Sequence, residues 1–149
     1  MRKGFTLVEL IFVIVIIGVL AAVAVPKFKN LKQGAEAAGV LKIANDAVAS
    51  IPPAYVNKVD MEGETVSTMA DLVKINGKGW SVDTGDANIT YYSEDATPSA
   101  DNSVIVLTLE SNRSVSMAVD CNDFTDSTTI TKCTTLNGGT ASTSVNLAF

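Results

Sequence analysis

The chain contains no histidine, a single tryptophan, four prolines and two cysteines, and only 6% of its residues are aromatic. Without histidine neither a Ser/His/Asp triad nor a Cys/His pair can form, and no lone acid stands in a readable catalytic motif. Cys121 and Cys133 are the only thiols, so a closed zinc site would have to draw half its ligands from carboxylates, an uncommon choice. The sequence reads as a protein that is not an enzyme and needs no cofactor. Basic residues are scarce beyond the first third: residues 1–50 hold six Lys/Arg against three acids, and the remainder five against thirteen. Bulk nucleic-acid binding, which relies on clustered Lys and Arg, is not expected of so acidic a carboxyl-terminal part.

Charge is missing altogether from Leu10 to Val25. Counted from Phe5, this apolar segment reaches the ~20 residues that a membrane helix needs. Arg2 and Lys3 stand directly before it with no acid to offset them, so the positive-inside bias keeps this end in the cytoplasm and sends the rest of the chain across. Glu9 is the anomaly. A carboxylate within an apolar helix needs a partner. No Lys or Arg follows until Lys27, whereas an amine at or near Phe5 would lie about one helical turn away.

A short basic leader ending in Gly4, followed by Phe5-Thr6-Leu7-Val8-Glu9, resembles the prepilin-type signal of the type IV pilin superfamily, which includes the pseudopilins of type II secretion and competence systems. The resemblance is specific over residues 1 to about 40. It implies cleavage between Gly4 and Phe5, N-methylation of Phe5, and an assembly role for Glu9 paired with the Phe5 amine of a neighbouring subunit. Gly18 and Pro26 stand where this family places residues that soften or kink the helix. The partners implied are other copies of the chain in a helical homopolymer, a prepilin peptidase, an inner-membrane assembly platform with its ATPase, and membrane lipid before assembly. The resemblance thus implies a bacterial inner-membrane protein, single-pass with its head in the periplasm, that later joins a pilus or a periplasmic pseudopilus. A secretory signal peptide cut near Ala22-Val23-Ala24 fits less well, because Glu9 would interrupt its core and the helical pattern continues past Pro26. A plain membrane-anchored binding domain explains the apolar run but neither Gly4-Phe5 nor Glu9.

From these features four regions are expected: a leader at 1–4, a membrane-spanning and filament-core half-helix at 5–26, an amphipathic half-helix at 27–51, and a globular head at 52–149. The second half-helix is rich in alanine and is expected to stop at Pro52-Pro53. At about 100° per residue its apolar positions form two stripes. Phe28, Leu31, Ala35 and Ala38 make one, suited to another copy; Val40, Ile43, Ala44, Ala47, Val48 and Ile51 make the other, suited to the head.

Thr68 and Asp71 suggest a capping box before a short helix that Asn76-Gly77 would end. Period-two alternation marks strands at 88–92, 103–109 and 114–119, with a hairpin turn at 110–113. The fold class expected is α+β, a long amino-terminal helix packed against a small antiparallel sheet. After Cys121 the chain is too polar for a second core, and in an oxidising compartment a Cys121–Cys133 disulfide would staple it to the sheet. In pilins the corresponding loop is the disulfide-bounded surface region.

Asn76-Gly77-Lys78-Gly79 lacks the hydroxyl residue after lysine and the first glycine of a phosphate loop, and reads as a turn. Asp120, Asn122, Asp123 and Asp126 are closely spaced oxygen ligands and weak calcium candidates, as are Asp83, Asp86 and Asn88. The first group departs from the EF-hand pattern at Phe124, Thr125 and Thr131. The function expected is a structural filament subunit, with a pseudopilin of a secretion or DNA-uptake system as the alternative.

Overall fold

The computed structural model describes residues 4–82, 87–93 and 96–149, with only the backbone of Ala100. Its dominant element is α1 (Leu7–Tyr55), 49 residues long, which at ~1.5 Å per residue spans about 74 Å. Thr6 starts it with a capping box: the Thr6 hydroxyl accepts from the Glu9 amide, and the Glu9 side chain accepts from the Thr6 amide. The two halves of α1 differ in what they touch. Up to Leu31 nearly every side chain is bare, whereas from Gln33 onward Ala37, Val40, Leu41, Ala44, Ala47, Val48 and Ile51 are buried at spacings of three and four.

These residues pack on a five-stranded antiparallel meander in the order β1 (Trp80–Val82), β2 (Asn88–Tyr92), β3 (Ser103–Glu110), β4 (Ser114–Asp120), β5 (Ser142–Ala148). Alternation on the pleat delivers Ile89 and Tyr91 of β2, Ile105 and Leu107 of β3, and Val115, Met117 and Val119 of β4 to the core beneath α1. Each large aliphatic side chain so buried contributes about 1.5–3 kcal/mol. The fully buried Ala37 and Ala44 present small side chains on the face of α1 that packs on the head. The β3–β4 hairpin turns between Glu110 and Ser114, as expected, with Arg113 at φ 61.

The structure confirms the α+β architecture and departs from the sequence expectations in five places. Pro52 and Pro53 do not stop α1, which runs to Tyr55 and continues as a π-helical turn over Val56–Met61. Proline fixes a helical φ and lacks only the amide hydrogen; the Val56 amide, which follows the pair, bonds back to the Pro52 and Pro53 carbonyls. The capping box at Thr68 and Asp71 forms, but the helix behind it is a single 3-10 turn, Met69–Asp71, anchored by the buried Met69. Ile43 is 40% exposed, and Ala37 and Leu41 take part in the head-facing stripe instead. A short strand, β1, precedes the first expected one.

The polar tail, finally, is structured. Ser127–Leu136 forms a second helix, α2, and Ser142–Ala148 forms β5 along the free edge of β4. Asp126 caps α2 by accepting from the Thr128 and Thr129 amides, and the element packs against α1.

Candidate functional site

The functional candidates run from the amino terminus of α1 to the disulfide that joins α2 to the turn after β4. Arg2 and Lys3 fall outside the described residues. Gly4 precedes α1 in open surroundings, and Phe5 is 87% exposed. Glu9 Oε2 accepts from the Thr6 amide at 2.9 Å and from the Thr6 hydroxyl at 2.8 Å. The capping box therefore folds the carboxylate back over the start of the helix, one residue from the Phe5 nitrogen. Thr6 gives it hydrogen bonds but no positive charge. Among the described residues the next cation in the chain is Lys27.

The segment Leu7–Val25 is the most apolar part of the molecule. The head leaves it uncovered, and this helix is long and apolar enough to cross a membrane. Gly18 has nothing within 4 Å of the position a Cβ would occupy, and in the isolated chain α1 stays helical through both Gly18 and Pro26. Beyond Pro26 the outer stripe is also bare: Phe28 and Leu31 are 67% and 70% exposed, and Ala35 and Ala38 are exposed with them.

In the head, Cys121 and Cys133 form a disulfide with Cα atoms 5.6 Å apart, both residues fully buried. It ties α2 to the turn that leaves β4. For so short a loop the chain-entropy contribution is about 2–3 kcal/mol.

The acids nearby act as caps. Asp120 accepts from the Asn122 amide and side chain, and Asp126 caps α2. Backbone donation from Thr129, ahead of that from Thr128 and the charge of Lys29, holds the Asp126 carboxyl below the usual range. Asp123 goes the other way, pushed up by burial and then by the charges of Asp120 and Asp101. Among the described residues no group of three or more carboxylates or thiols is placed to hold a metal ion. Asp120 and Asp126 thus owe their positions to helix capping, which explains the acid spacing without calcium. Asp83 and Asp86 lie outside the described residues.

Two features have no signature in the sequence. Arg113, at the hairpin tip, pairs with Asp60 at 2.5 Å and stacks its guanidinium 5.4 Å over the Tyr55 ring, which itself meets Phe149. This clamp joins the end of the long helix to the hairpin and the last strand, and only the fold brings its members together. Gln33, a polar residue on a helix already rich in charge, reads as solvent-facing but is 6% exposed.

Comparison with known proteins bears on the same end of the chain. The family model described as prokaryotic N-terminal methylation motif matches residues 1–25. The fimbrial protein of Neisseria meningitidis serogroup B is 34% identical over 79 residues, 52% of this chain and 46% of that protein. The type IV narrow pilus major component of Thermus thermophilus is 40% identical over 79 residues, covering 53% and 63%. The type IV major fimbrial protein of Dichelobacter nodosus is 57% identical over 30 residues, 20% and 19%. The chain spans about half the length of the curated relatives it matches over 79 residues. No solved structure matches it. The methylation motif thus falls on the bare half of a helix whose other half carries an α+β head, and over its amino-terminal half the chain is similar to type IV major pilins.

Proposed function

We propose that the chain is the structural subunit of a type IV pilus-like filament, anchored in the membrane through α1, cleaved after Gly4, methylated on Phe5 and polymerised by packing the bare halves of α1. The observation that carries this reading is the coincidence of the methylation motif with an apolar half-helix that the chain's own head leaves uncovered. Apolar surface on this scale must be covered by lipid or by other copies. The relatives, a fimbrial protein and a pilus major component, support a pilus over a pseudopilus.

In this reading a prepilin peptidase removes the leader, and an inner-membrane platform with a cytoplasmic ATPase extracts the subunit. Glu9 takes the methylated amine of a neighbour as its counter-charge, since its own Thr6 supplies hydrogen bonds without charge. Fibres sheared from producing cells should contain the chain beginning at Phe5 with one added methyl group. A mature terminus at Val25 would replace this reading with a secreted domain.

A further inference from the structure

The two edges of the sheet differ. β1 closes one side after three residues, whereas β5 lines the other with seven, and among the described residues no strand pairs with its outer side. A free strand of that length is a template for a further strand, and natural proteins blunt such edges with charge, proline, a bulge or short length. β5 has none of these. It consists of Ser, Thr, Val, Asn, Leu and Ala, its pairing with β4 runs without a break in register, and no charged side chain occurs from Cys133 to Phe149.

Hydrogen bonds at the two ends of β5 fix which backbone groups are free. The Cys121 amide donates to the Ala141 carbonyl at 2.8 Å, and the Phe149 amide donates to the Arg113 carbonyl at 2.9 Å. Along an antiparallel strand, residues that bond the neighbour alternate with residues that face away from it. Ala141, Thr143, Val145, Leu147 and Phe149 thus turn their amides and carbonyls to β4, and Ser142, Ser144, Asn146 and Ala148 turn theirs outward. Val145 lies opposite Met117 and Leu147 opposite Val115, so both stand on the core face of the sheet, yet they are 49% and 41% exposed. The apolar layer therefore reaches the edge uncovered.

An occupant has to meet these outward groups with its own backbone and carry no charge, because the edge offers no counter-charge and the head around it is acidic, with five Lys/Arg against thirteen acids beyond residue 50. β5 of a second copy meets both conditions. Laid antiparallel about a two-fold axis at Val145, it sets Ser142 against Ala148 and Ser144 against Asn146 as hydrogen-bonded pairs, so every outward amide and carbonyl finds a partner. Val145 then meets its own copy, and Thr143 meets Leu147, at the closer non-hydrogen-bonded positions, which joins the exposed valines and leucines in one strip. We propose that β5 is a self-recognition edge through which heads on two filaments pair strand to strand. The inference rests on the filament reading and adds a lateral contact to it. A two-fold contact closes on itself, whereas a filament propagates by heterologous contacts, so this one joins fibre to fibre. Seven residues at ~3.4 Å and a sheet ~10 Å thick give a strip of about 240 Å² per partner, far below the ~800 Å² of a stable complex. One pair of heads does not hold; rows of heads along two fibres do, by effective concentration.

The test uses the full chain. Electron microscopy of sheared fibres should show bundles that thicken as salt rises, because salt screens the repulsion between acidic heads and leaves the strand pairing intact. Asn146→Pro removes an outward amide without touching the β4 ladder, and Val145→Lys sets like charges directly opposite each other. Each should abolish the bundles while fibre yield and the melting temperature of the head stay as in the wild type. Val145→Cys under mild oxidation should give disulfide-linked dimers, since the paired Cα atoms lie ~4.5 Å apart, whereas Asn146→Cys faces Ser144 of the other copy and should give none. If the proline variant fails to fold, the lysine and cysteine variants decide.

Single wild-type fibres at every salt concentration, bundles that dissolve as salt rises, or equal cross-linking at positions 145 and 146 each overturn the proposal. A processed chain that makes no fibres overturns the filament reading, and the fibre-to-fibre contact with it. Dimers of Val145→Cys without dimers of Asn146→Cys in the membrane would in that case still establish the strand pairing, and their absence would remove it too.

Discussion

Glu9 sits in an apolar run with its carboxylate turned back onto Thr6, an arrangement that fixes its geometry and, among the described residues, gives it hydrogen bonds without a counter-charge. In lipid or in a dry helix bundle such a charge requires a cation, and a neighbour's amine can reach it only when two subunits stand in the correct register. Glu9→Ala is therefore expected to leave cleavage at Gly4 and membrane insertion intact while abolishing filaments or sharply reducing them. Normal fibres assembled from the alanine variant alone, seen by electron microscopy, would remove the carboxylate from the register. A second residue acts through backbone conformation. Gly79 has φ +85, and a Cβ there would lie 2.5 Å from the Tyr92 carbonyl oxygen and 2.7 Å from the Tyr91 ring. The same strand end is joined by the Tyr92 amide donating to the Gly79 carbonyl at 2.8 Å. Gly79→Ala must therefore shift backbone as well as adopt a left-handed conformation, and should lower stability by about 3 kcal/mol. Gly63→Ala, with φ +71 but open surroundings, should lose only about 1 kcal/mol. Denaturant unfolding of the two variants side by side separates the clash from the φ.

At the scale of elements, acid titration tests the caps. Backbone donation from Thr68 first, and then from Ser67, holds the Asp71 carboxyl below its ordinary value, as donation from Thr129 does for Asp126. A depressed carboxylate contributes stability that is fully present above the unfolded-state value of 3.8 and is lost as pH falls through the lower folded value. The melting temperature of the head should hold from neutral pH down to that point and then decline. Asp71→Asn with Asp126→Asn retains capping groups without the charge, so it should flatten the part of the acid limb due to these two caps.

These caps also mark where the sequence was legible. Thr68 and Asp71 announce their turn by spacing, and β2, β3 and β4 announce themselves by alternation of Ile89 and Tyr91, Ile105 and Leu107, Val115, Met117 and Val119. The α2 segment has no such signal. Its run of Thr and Ile is poor in intrinsic helix formers, and the helix exists because Asp126 caps it, Cys133 bonds it to Cys121, and α1 covers it. β5, with Ser, Thr and Asn on an exposed edge, takes its strand conformation from the hydrogen bonds of β4. Pro52 and Pro53 mislead in the opposite direction, because their φ suits the helix that their missing amides were expected to end.

For the whole molecule, the proposed function requires the same α1 to serve two solvents in succession, first lipid and then the interior of a fibre. In lipid every backbone group has to be satisfied within the helix, which favours the continuous helix of the isolated chain through residues 18 to 26. Pro26 already lacks the amide that would bond the Ala22 carbonyl, and Gly18 weakens the helix by ~1 kcal/mol relative to alanine. The chain between them is thus the part of α1 with the least to lose when neighbouring helices crowd it. The head, by contrast, holds the outer half through Ala37, Val40, Ala44, Ala47 and Ile51, so strain from packing cannot be relieved there without opening the core. The Gly18–Pro26 segment should accordingly bend or unwind locally in the filament while residues 33 to 55 keep the geometry they have on the head. Gly18→Ala with Pro26→Ala should leave the folded head and membrane insertion unchanged. It should yield fewer filaments, or filaments of altered rise, because a stiff helix has to seat all its contacts as one rod. A filament density map that follows one straight, fully helical rod from Gly18 to Pro26 in the wild-type chain would refute this division of labour along α1.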